Sequence, residues 1–138
     1  MLLAVDTNVL ARAMIDDGSS QSTLARQCLL ENPHFVADTV LLETEWLLRS
    51  VFRLKRDEIN RLFSNLIASE NATFRNRNVV AMAILSHRTG LDFADAMHVL
   101  SAEGCTEFVT FDAELIDKAS IASSGIVVRQ PWSSEHSS

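Results

Sequence analysis

The stretch "LLAVDTNVL" (residues 2–10) decides how this chain reads. Leu2, Leu3, Ala4 and Val5 form a short aliphatic run without alternation, the pattern of a strand buried in a parallel sheet. The run ends on Asp6, and a carboxylate leaving an apolar layer is costly unless it is solvated, paired or bound to a cation. Val9, Leu10, Ala13 and Met14 then recur at helical spacing, so a helix over 7–15 follows directly, with Asp6 at the joint.

Working outward, the same succession continues. Helices are expected over 22–31, 39–54, 56–70, 78–88, 92–103 and 113–119, and strands over 34–38, 72–75, 108–111 and 126–129. Ile59, Leu62, Phe63, Leu66 and Ile67 make one apolar stripe, and Gly90 and Gly104 close the helices before them. Short aliphatic strands alternating with helices predict an α/β fold: three layers, α/β/α, around a central, mostly parallel sheet of four to five strands. Residues 1–132 read as one domain and 133–138 as a polar, disordered tail. Trp46 and the seven Phe are expected to pack the core, and Trp132 to cover a surface or a partner.

The composition excludes several classes. With 138 residues there is one sizeable core. No apolar run could span a bilayer and no signal peptide is visible, which points to the cytoplasm. Cys28 and Cys105 form no CxxC pair and read as reduced, core or half-buried thiols. A glycine-rich phosphate loop and Ser or Cys nucleophile motifs are absent. The net charge of −6 argues against broad electrostatic attraction of nucleic acid, unless several acids gather around a cation that offsets them.

The acids carry the chemistry. "FVTF" (108–111), like 2–5, ends on an acid, Asp112, and ligands of parallel sheets bind beyond the carboxyl ends of the strands. Asp6 and Asp112 read either as helix N-caps or as parts of one site. In "GLDFADAMH" (90–98), Asp92 reads as an N-cap, and Asp95, three residues on, lies about 150° from the centre of its helix's core stripe. It faces either a cleft or solvent. In "LLETEWLLR" (41–49), Glu45 has Arg49 four residues on as a partner, whereas Glu43 has no cation at that spacing. Glu43 is therefore the better candidate for a metal-facing acid. If Asp6, Glu43, Asp95 and Asp112 converge, their repulsion raises their pKa values or recruits a cation. An all-carboxylate set suits Mg²⁺ or Mn²⁺ rather than zinc, and the chemistry that follows is metal-assisted hydrolysis of phosphodiesters.

"AVDTNVLARAM" (4–14), "LLETEWLLRSVF" (41–52), "GLDFADAMHVLSAEG" (90–104) and "FVTFD" (108–112), in this order, resemble the PIN-domain endoribonucleases. Within them they resemble the VapC-like toxins of type II toxin–antitoxin pairs. By position, the resemblance implies an acidic quartet of Asp6, Glu43, Asp95 and Asp112. It takes Glu43, three residues before Trp46, over Glu45. Thr7 and Asn8 match residues that support the first aspartate, and Asp92 an acid common in its motif. The resemblance further implies an Mg²⁺- or Mn²⁺-dependent RNase, a homodimer that can enter a larger toxin–antitoxin assembly, and a cognate antitoxin whose C-terminal segment covers the cleft. The acidic balance departs from a basic RNA-binding face. Arg49, Arg53, Lys55 and Arg56, and the "RNR" of 75–77, are the candidates for RNA contact, against a reading as solvated helix ends.

Two other readings remain open: an RNA-processing nuclease of the same kind without an antitoxin, and a Mg²⁺-binding receiver or interaction module. A receiver needs a lysine near the acids, and neither Lys55 nor Lys118 follows a strand. His98, near Asp95, reads as structural, while His34, His87 and His136 share no metal-like spacing.

Overall fold

A computed structural model of the chain describes residues 1–122 and 124–133. The tail expected at 133–138 lies, from residue 134 on, outside the described residues.

Strand β1 (Leu3–Ala4) leads through Asp6 into α1 (Thr7–Met14), and α2 (Ser20–Glu31) follows. The Ser19 hydroxyl caps α2 by accepting from the Ser22 N–H at 3.1 Å. β2 (His34–Val36), α3 (Asp38–Ser50), α4 (Arg56–Ala68) and β3 (Ala72–Phe74) come next. The second half runs through α5 (Arg77–Arg88), α6 (Phe93–Leu100), β4 (Glu107–Val109), α7 (Ala113–Lys118), a 3₁₀ turn (Ala119–Ala122) and β5 (Val127–Arg129).

The α/β class and the parallel pairing agree with the sequence pattern. The five strands, however, form two ladders, β1-β2-β3 and β4-β5, rather than one continuous sheet. β1 is only two residues long, and its main-chain bonds go to Pro33 and Phe35 on the β2 side. A strand this short offers little edge to carry a ladder onward.

The core lies between the helices and the first ladder. Val36, Leu41, Leu48 and Val80 are fully enclosed. Phe63 of α4 meets Phe93 of α6 edge to face, with ring centroids 5.0 Å apart. Burying each such ring contributes about 1.5–3 kcal/mol. α4 packs on α5 and α5 on α6, and α1 packs on α2 and α3.

Three expectations need correcting. The runs 2–5 and 108–111 are not buried throughout: Leu2 is 59% exposed, Val109 47% and Phe111 80%, because no described element covers these faces. Trp46 is likewise 55% exposed, on the face of α3 that carries Glu43, so neither it nor Phe111 packs the core. α3 ends at Ser50, short of the expected 54. The Leu54 N–H turns back to the Leu48 carbonyl at 3.0 Å, with Arg53 at a φ of 57°. A non-glycine residue adopts that conformation only where surrounding bonds hold it, and periodicity does not report it. Of the two thiols, Cys28 is half-buried and Cys105 exposed.

Candidate active site

Each acid singled out after a strand caps a helix. Asp6 Oδ1 accepts from the Val9 N–H at 2.9 Å, and Asp112 Oδ1 from the N–H groups of Glu114 and Leu115 at 3.0 and 3.1 Å. Asp92 Oδ1 accepts from the Asp95 N–H at 3.0 Å. Capping uses the charge favourably at a helix N-terminus and fixes the carboxylate's position. The capping and the site readings are therefore compatible, since a capping Oδ1 leaves Oδ2 free.

The acids fall into two places. In the first, the Thr7 hydroxyl donates to Glu43 Oε2 at 3.0 Å. This bond ties α3 to the first turn of α1, beside Asp6. Asp6, Asn8 and Arg12 line a groove of about 470 Å³ between α1 and α2. In the second, Asp92, Asp95, Asp112 and Glu114 line an open cavity of about 410 Å³. Asp95 is half-buried and caps nothing. Burial first, then the charges of Asp92 and Asp112, push its carboxyl above the usual range, and His98 opposes them. No hydrogen bond among the described residues joins the Asp6–Glu43 corner to this cavity.

The same cavity is also lined by cations. Glu45 is only 4% exposed and takes a two-pronged bond from Arg49, Nε to Oε2 at 2.9 Å and Nη2 to Oε1 at 3.3 Å. Glu45 thus pairs as its spacing predicts, which leaves Glu43 as the glutamate facing solvent. Arg56 Nη1 donates to the carbonyls of His87 and Leu91, at 2.7 and 3.0 Å, and Lys118 Nζ to Glu114 at 2.7 Å. Between Arg49 and Arg56, Arg53 and Lys55 are exposed, and the Lys55 N–H is bound by the Glu58 carboxylate at 3.0 Å. The arginines of 75–77 are occupied elsewhere: Arg75 pairs with Asp38 at 2.7 Å, and Arg77 binds the carbonyls of Ile67 and Ala72.

A sequence model describing the PIN domain matches residues 3–121. The chain belongs to the PIN domain family. PIN domains are generally nucleases and generally use divalent metals. No curated protein matches the chain.

In this PIN domain the donor set fits such a cation in kind: carboxylate oxygens only, with Asp95 raised by burial first and by its acidic neighbours second. In arrangement, no group of three or more His, Cys, Asp or Glu side chains among the described residues is placed to hold a metal ion. Sequence reasoning passed over three lining or supporting residues: Glu114, His87, and Asn60 behind it. Glu114, two residues after Asp112, was the one within reach of local spacing. Asn60 and His87 are 27 positions apart and meet only through the packing of α4 on α5.

Proposed function

We propose that this PIN domain is a metal-dependent endoribonuclease, the toxin of a type II toxin–antitoxin pair. The observation that carries the nuclease reading is one cavity lined by both carboxylates and cations. Asp95 stands among Asp92, Asp112 and Glu114 in a cavity that Arg49 and Arg56 also line. An RNA strand needs both: cations for its phosphates, and acids for the ion that activates water.

On the motif resemblance, Asp6, Glu43, Asp95 and Asp112 would hold Mg²⁺ or Mn²⁺, which when bound lowers the pKa of water and neutralises developing charge. Since no three of them are placed for this among the described residues, the two acidic places would have to draw together on the ion. Thr7 keeps Glu43 turned toward the first turn of α1, with Asn8 beside it, and Asp92 fixes the turn from which Asp95 projects. Arg49, steadied by Glu45, and Arg56 orient the strand, with Arg53 and Lys55 on the exposed turn between them. The toxin assignment rests on the motif resemblance. It carries with it a homodimer, a cognate antitoxin that covers the cleft, and a cytoplasmic site of action. No helix of the described residues is long and apolar enough to cross a membrane.

The test is cleavage of total RNA by the purified chain with Mg²⁺, with EDTA, and with Asp95→Asn. Cleavage that needs the metal and the aspartate supports the nuclease, and equal cleavage by wild type and variant removes it. Growth arrest on expression, relieved by the product of an adjoining gene, separates the toxin from an RNA-processing nuclease.

A further inference from the structure

Asn60 and His87 are buried together where α4 packs on α5, at 5% and 4% exposure. Two polar side chains in such a place are costly unless their groups are satisfied. Arg88 Nε donates to Asn60 Oδ1 at 3.1 Å, which fixes the orientation of the amide. The Asn60 Nδ2 then donates to the Ile84 carbonyl at 2.7 Å and to His87 Nδ1 at 3.0 Å. A ring nitrogen that accepts carries no proton, so the proton of His87 is on Nε2. Burial, reinforced by Arg56 and opposed by Asp92, lowers the imidazole pKa to about 4, and the ring is neutral near pH 7.

No described residue accepts from that Nε2–H. Thr44 Oγ1 is the one enclosed, unpartnered polar side-chain atom among the described residues, so Nε2 keeps some exposure, and His87 lines the cavity. Each cation of the same lining also holds a protein partner: Arg49 Glu45, Arg56 two carbonyls, Lys118 Glu114. A neutral donor also suits this wall. A free cation there would pair with Asp92 or Asp95 and compete with a metal ion, whereas a neutral N–H leaves the acids available.

We propose that His87 contacts the substrate, its Nε2–H donating to a non-bridging phosphate oxygen of an RNA strand lying in the cavity. This rests on the reading of the cavity as a ribonuclease site. Asn60 and Arg88 are positioning residues that hold the proton on the outward nitrogen.

The test is nitrogen NMR of the imidazole rings in the full chain, with a short single-stranded oligoribonucleotide and Ca²⁺ in place of Mg²⁺. The free protein is expected to show a protonated Nε2 and an unprotonated Nδ1 at His87. RNA should shift Nε2–H together with the main-chain amides of Asp92 and Asp95. His87→Phe keeps a ring against Phe93 and removes the donor. It should raise Kd and KM about tenfold while kcat stays within about twofold, and His87→Gln should recover part of the loss. Amide shifts at Asp92 and Asp95 without a response at His87 overturn the proposal and leave the nuclease reading standing, as does unchanged RNA binding by a folded His87→Phe chain. If neither ring nor amides respond to RNA, both fall together.

Discussion

The two acidic places of this PIN domain differ in what their carboxylates are already doing. At the Asp6 corner, Asp6 caps α1 and Glu43 holds the Thr7 hydroxyl, and both side chains face solvent. In the cavity, Asp92 and Asp112 cap helices in the same way, but Asp95, between them, caps nothing and is half-buried. Electrostatic stress therefore collects on the acid that local structure does not employ. Helix capping accounts for where Asp6, Asp92 and Asp112 stand, and it does not account for Asp95.

The most direct way to break this contrast is Asp95→Asn. Loss of an outer partner of a metal ligand costs about 10–100-fold, so loss of Asp95 should lower RNA cleavage by more than ~100-fold. Its thermal stability should hold or rise, because the change relieves repulsion. A parallel loss of folding, seen in a melting curve, would make Asp95 a structural acid instead.

The pH dependence sharpens the contrast within the cavity. Unfolded His87 takes up its proton near 6.5, while the folded ring resists until about 4. Its contribution to stability is complete above pH 6.5, is lost as pH falls from 6.5 to about 4, and amounts to on the order of 3 kcal/mol. Asp95 has the opposite sign. Its folded pKa is raised, so acid relieves its penalty and stability from this group falls as pH rises through that pKa. Denaturation from pH 4 to 8 should show the histidine limb in both the wild type and Asp95→Asn, and the opposing limb in the wild type only.

The Asp6 corner should give smaller effects. Thr7→Val frees Glu43 from its one hydrogen bond and should lower the cleavage rate about tenfold, the worth of a hydrogen bond to a charged group. An unchanged rate would place Glu43 outside the chemistry. At Asp6, Asn caps a helix as well as Asp does, whereas Ala does not. Asp6→Ala should therefore be about 1 kcal/mol less stable than Asp6→Asn in urea unfolding, although both lose the charge.

Periodicity reports which side of an element is apolar, and the helices were legible on that basis. The Ile59–Phe63 stripe, the break at Gly90 and the N-cap positions of Asp6 and Asp112 all stand where the pattern puts them. Gly90 has a φ of 118°, which suits a residue without Cβ. Periodicity is silent about what lies across from each side. Trp46 and Phe111 have core composition and no described neighbour to cover them. Glu45 reads like Glu43 along the helix, yet one is enclosed by the tertiary fold and the other is not. The Arg88–Asn60–His87 relay and the interruption between β1 and β4 belong to the same class, for both depend on partners distant in the chain.

Arg56 opens α4, yet one of its guanidinium nitrogens is clasped to the carbonyls of residues 87 and 91, on either side of Gly90. The freedom that glycine gives this hinge is thereby bolted from outside. The rim that bears Asp92 is fastened in this way to the start of α4.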